Sequence, residues 1–195
     1  MNRRDFLAAA SLGGLVPARP AGAGTQAAGP ALLTVGGAIG RSNRGAVDPA
    51  LDQLMSKHGV TFASAFSFDA QALQHLPSVG IRPILEYDGR AHALEGPLLG
   101  SVLEAAGVDA GAALRVGIRA IDGYLVEIAL ADIVGYRMIV ATHFDGKPMP
   151  LGGLGPQWAV FDPAALPAFK DKPLKEQFAL CPWGAYYIDV AAAAA

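Results

Sequence analysis

Apolar residues in this chain come in short runs, each stopped by glycine, proline or an Asp-Gly pair. Leu32, Leu33, Thr34 and Val35 read as a first strand, closed by Gly36 and Gly37. Residues 60–68 form a β-prone apolar stretch, after which Asp69 is set to cap a short helix running through Leu76 to Pro77. Residues 81–87 read as a strand, and Asp88-Gly89 as a turn leading into a hairpin. The spacing predicts a helix over 97–106, with Gly96 as N-cap, Pro97 in the first turn and Gly107 at the end. Its apolar face is Leu98, Leu99, Val102, Leu103 and Ala106.

The second half is mainly β in pattern. Leu114, Val116, Ile118 and Ala120 alternate with other residues, as do Tyr124, Val126 and Ile128 after the Asp122-Gly123 turn. Residues 138–144 make a further apolar strand, followed by the turn Asp145-Gly146. Residues 157–161 and 185–190 complete the set. Many short strands with few short helices predict an α+β fold with mixed β-sheets.

The first residues follow a different pattern. Arg3-Arg4 is followed by Asp5, Phe6 and Leu7, then by an apolar run to Val16 and an A-x-A site at Ala21-Gly22-Ala23. This is the order of a secretory leader, in its twin-arginine form. Gly13, Gly14 and Pro17 speak against an ordinary amphipathic helix. The apolar run is about half of the roughly 20 residues a membrane span needs. The expected organisation is a signal peptide over 1–23, a flexible tether over 24–30, one domain over 31–190 and an alanine tail over 191–195. Periplasmic location follows, with no transmembrane span in the mature protein.

Composition narrows the function. The chain is 52% hydrophobic and only 16% charged, which suits a packed domain rather than a disordered one. Arg3, Arg4 and Arg19 against Asp5 give the leader a net +2, so the whole-chain −2 becomes −4 for the remainder. No basic stripe is left for nucleic acid. The single cysteine, Cys181, cannot form a disulfide within the chain and reads as a small buried residue. His58, His75, His92 and His143 have no metal-ligand spacing. There is no nucleophile elbow, Walker loop or zincin motif. The glycine-rich stretch 151–155 precedes a strand, so it reads as a turn rather than a phosphate loop.

Candidate site residues lie at strand ends. Asp122 and Tyr124 begin one strand and Trp158 another, and both rings carry a hydrogen-bonding group. These three are expected to face a shared cleft, or, in the plainer reading, to cover the core.

The same blocks carry a resemblance. Leu94-x-Gly96-Pro97-Leu98-Leu99, Asp122-Gly123-Tyr124, Asp145-Gly146-Lys147-Pro148-Met149 and Gly155-Pro156-x-Trp158 stand in order. Before them come Leu33-Thr34-Val35-x-Gly37-x-Ile39, Asn43 and Phe68-Asp69-x-x-x-Leu73-x-x-Leu76-Pro77. Over residues 31–162 the chain resembles the oxidoreductase molybdopterin-binding domain, the sulfite-oxidase-type fold, in its short periplasmic single-domain form. The resemblance implies a pterin cleft near Asp122, Tyr124, Trp158, Tyr87 and Asn43. It also implies a molybdenum-ligating cysteine near residues 81–87, where this chain has none. Two functions follow as expectations. One is a cofactor-free member of the fold binding a small molecule or a periplasmic partner protein; the other is a molybdenum-cofactor oxidoreductase with non-standard ligation.

Overall fold

The computed structural model describes residues 29–193. The expected leader over 1–23 and most of the tether lie outside them. Within the described residues the fold is α+β, with mixed sheets and few, short helices, and none of those helices is long and apolar enough to cross a membrane.

The largest sheet has five strands. β1 (Leu33–Gly37), β2 (Ala65–Phe68), β5 (Leu114–Ala120), β6 (Leu125–Ala129) and β11 (Ala185–Ala192) run in the order β2-β1-β11-β5-β6. β1 pairs with β11 in parallel, and the other pairs are antiparallel. One face of β5 and β6 is apolar by alternation: Val116, Ile118, Val126 and Ile128 are buried, while Arg115, Leu125 and Glu127 are exposed. A second sheet orders β3 (Ser78–Ile81), β4 (Leu94–Pro97), β8 (His143–Phe144) and β9 (Lys147–Pro148), and β7 (Ile139–Ala141) pairs with β10 (Trp158–Val160).

Helices α1 (Gln53–Lys57), α2 (Ala70–Gln74), α3 (Leu99–Ala105), α4 (Leu130–Gly135) and α5 (Leu174–Gln177) connect these strands. One contiguous core joins Val35, Ile118 and Ile188 of the five-stranded sheet to Leu99, Val102 and Leu103 of α3, Ile133 of α4, and Ile139 and Trp158 of the two-stranded sheet.

Several expectations shift by a few residues. Asp69 caps α2 as read, accepting from the Ala72 N–H at 2.7 Å. The helix expected over 97–106 begins only at Leu99, because Gly96 and Pro97 belong to β4. There β4 runs so close to the neighbouring strand that a Cβ on Gly96 would lie 1.9 Å from the Val140 carbonyl oxygen. Residues 81–87 are not a strand: after Ile81 the chain forms a loop, with only an Ile84–Ala91 bridge and the expected turn at Gly89. Pro83 within the run removes a ladder donor. The apolar stretch 138–144 is split, its first part pairing with β10 and its second with β4.

The ends differ too. Ala191 and Ala192, expected as tail, pair with Arg115 and Leu114. Gly29, expected in the tether, donates its N–H to the Asp69 carboxylate at 2.8 Å.

Candidate functional site

Residues 178–184, between α5 and β11, are the point on which three of the expected site residues converge. The Trp158 indole N–H donates to the Cys181 carbonyl at 2.7 Å, and the Tyr124 hydroxyl donates to the Ala179 carbonyl at 2.8 Å. The Tyr87 ring lies 6.4 Å from that of Trp158, and the Phe178 ring 5.9 Å from it on centroids. Trp158 of β10 and Tyr124, which precedes β6 rather than beginning it, therefore hold one segment from two sides.

They do not share an open cleft. Trp158 is fully buried, and Tyr124 is half exposed. Their polar groups are already used on loop carbonyls, the reason neither is free for a ligand. Asp122 accepts from the Tyr124 N–H at 2.9 Å and so closes its own turn. Asn43 lies elsewhere: its amide donates to the Ser67 carbonyl at 2.9 Å and its oxygen accepts the Ser67 N–H at 2.7 Å. That pair fastens the loop after β1 to β2.

Cys181 and Tyr87 form the electrostatic part of the site. Burial pushes the Cys181 thiol up to about 12, and the Glu86 carboxylate adds to this. Burial likewise pushes the Tyr87 phenol up to about 12, with Glu86 again next in effect and the Trp183 side chain opposing. Thiol and phenol are both neutral at physiological pH. The loop that carries Tyr87 is the one where the resemblance implies a thiolate, and Cys181 lies near Tyr87.

A cluster that sequence spacing left scattered lies nearby. His92 Nδ1 sits 2.7 Å from an Asp145 oxygen, and Nε2 sits 2.9 Å from an Asp88 oxygen. The imidazole lies tilted against Phe144, 4.6 Å between centroids. The two carboxylates, Asp145 first, raise the His92 pKa above its ordinary 6.5. A ring donating from both nitrogens is an imidazolium, so it is no free base. The Asp88–His92 spacing and the Asp145-Gly146 turn are visible in the sequence; the pairing of β8 with β4 that brings Asp145 back to His92 is not. Among the described residues no group of three or more His, Cys, Asp or Glu could hold a metal ion.

Beside this cluster opens a recess of about 490 Å³, lined by Phe144, Lys147, Pro148, Met149, Pro150 and Leu154. It occupies the hairpin and loop whose sequence, Asp145 to Gly155, carries part of the resemblance. The glycine-rich segment 151–155 is indeed a turn followed by a strand rather than by a helix. Behind it Gln157 is fully buried, with its amide N–H groups on the carbonyls of Leu32 and Ala185. Comparison with family models and with curated proteins finds no match to this chain.

Proposed function

We propose that the chain is an exported member of the molybdopterin-binding-domain fold that acts by binding a small molecule, not by redox chemistry. One observation carries this reading. Cys181 is the only cysteine in the sequence, and it is buried with its thiol pushed up to about 12. It also stands in the segment after α5, far from residues 81–87 in sequence. The sulfite-oxidase-type centre implied by the resemblance needs a thiolate ligand, and a soft metal is poorly served by a neutral phenol or a lone carboxylate. The residues present do not fit that ligation.

The recess walled by Phe144, Met149 and Leu154 supports a binding role. Its lining is apolar apart from the exposed Lys147. A flat apolar ligand with one acidic group suits that chemistry, since apolar burial yields roughly 25 cal/mol per Å² and the ammonium fixes orientation.

The second reading, a periplasmic molybdenum-cofactor oxidoreductase with non-standard ligation, draws on the nearness of Cys181 to Glu86 and Tyr87. Elemental analysis of protein purified from its own host separates the two. The binding reading expects no stoichiometric molybdenum in the wild type or in Cys181→Ser. Stoichiometric molybdenum lost on Cys181→Ser would establish the oxidoreductase reading. Metal retained in both would also overturn the binding reading and move the ligand elsewhere.

A further inference from the structure

The outer face of the five-stranded sheet carries a second recess, of about 250 Å³, remote in chemistry from the apolar one. Its floor follows from strand register. Tyr187 of β11 pairs with Arg119 of β5, which pairs with Leu125 of β6. One row along, Asp189 pairs with Gly117, which pairs with Glu127. Side chains at paired positions project on the same face, here the one opposite Val116, Ile118 and Ile188. The second row therefore reads carboxylate, gap, carboxylate. Strands lie about 4.8 Å apart, so the two acidic residues stand roughly 10 Å apart on the backbone with only a glycine between them. Residues 59–61, after α1, form the opposite wall.

The polar groups are fixed unequally. Glu127 is paired with Arg115 at 3.2 Å, outside the recess lining. The Tyr187 hydroxyl donates to Asp189 at 3.2 Å, and burial, then Asp189, keeps that phenol protonated. Its ring is stacked on Phe62. A Cβ on Gly36 would come within 2.7 Å of the same hydroxyl, so the phenol's position depends on that glycine. Arg119, half-buried at the recess wall, makes no hydrogen bond or ion pair with any described residue. The open valences are thus one guanidinium and one carboxylate, Asp189, which has no cationic partner among the described residues.

We propose that this recess binds a small zwitterion of the amino-acid class, its carboxylate on Arg119 and its ammonium over Gly117 between Asp189 and Glu127. Opposite charges on neighbouring strands match a ligand with both charges better than one with either. A bidentate guanidinium–carboxylate contact and an ammonium on a carboxylate are both charge-assisted, the stronger kind of hydrogen bond. The volume suits a molecule of a few carbons.

The test is a titration of the full chain followed by NMR at the Gly117 amide and the Arg119 side chain. The probes are γ-aminobutyrate and glycine, with butyrate and butylamine as single-charge controls. At least one zwitterion is expected to bind at least about tenfold more tightly than either control, one charge-assisted contact being worth about that factor. Arg119→Ala and Asp189→Asn should each weaken it by about tenfold or more. Gly117→Ala is the decisive variant. The added methyl meets Leu125 at 3.5 Å and Asp189 at 3.8 Å, ordinary contact distances, so the sheet tolerates it while the gap is filled. It should weaken binding with no loss in denaturation midpoint. The proposal is overturned if neither zwitterion shifts these resonances, if butyrate alone binds as well, or if Gly117→Ala binds unchanged.

Discussion

At the scale of single residues, His92 has the sharpest predicted behaviour. Its pKa is raised by Asp145 and then Asp88, while His92 lowers those of both carboxylates. Arg82 and Arg90 add to the lowering of Asp145 and Asp88 respectively. A raised histidine pKa contributes stability that is fully present below its ordinary 6.5 and lost as pH rises through the folded value. The lowered carboxylates contribute above 3.8, and lose it as pH falls through their folded values. The cluster therefore stabilises most between those two pH values. Urea midpoints should fall from pH 6 towards pH 8 in the wild type, and His92→Gln should flatten that slope. An unchanged slope in the variant would remove His92 as its source. Trp158 offers a second check. Trp158→Phe leaves the Cys181 carbonyl without its donor in a buried setting and should cost about 1–3 kcal/mol in denaturation; Tyr124→Phe, at a half-exposed position, should cost less. Sequence alone singled out Tyr124 and Trp158 as aromatic groups with a donor. It could not say that both donors meet one loop, because residue 179 lies far from residue 124 in the chain.

At the scale of elements, α3 shows what periodicity can and cannot tell. Leu99, Val102 and Leu103 are buried on the face the pattern indicated. Leu103→Ala should cost about 2–5 kcal/mol, the range for a truncated buried leucine, measured by urea denaturation. A loss below about 1 kcal/mol would mean the site collapses around the smaller side chain or is not core. The start of the helix was misread because Gly96-Pro97 satisfies helix-start rules and is poor strand sequence. What decides is the approach of Val140, a tertiary contact with no local signature. The run 138–144 failed differently: an apolar stretch reads as one strand when, as here, its halves pair with separate sheets. The Asp145-Gly146 hairpin was legible because both residues take positive φ, which that dipeptide favours. The recess on the outer sheet was not legible, since it depends on register across three strands.

At the scale of the whole molecule, the order β2-β1-β11-β5-β6 places the last described strand at the centre of the main sheet. β11 pairs with β1 on one side and β5 on the other, so the two halves, β2-β1 and β5-β6, join into one sheet only when residues 185–192 are in place. Contacts of such long sequence separation form late and cost loop-closure entropy first. A chain truncated after Gly184 should therefore lack a cooperative unfolding transition, whereas a chain truncated after Ala193 should keep it. This bears on the proposed export by the twin-arginine route, which carries proteins already folded. Such a route demands that β11 be in place before translocation, so the two truncations should separate in export as they do in folding. The leader makes its own demand: Arg3→Lys with Arg4→Lys should leave the protein in the cytoplasm, and intact mass of the wild-type periplasmic form should place its first residue just after Ala23. A periplasmic protein that still begins at Met1 would remove the leader reading. Efficient export of the chain cut at Gly184 would break the link between the central strand and the route.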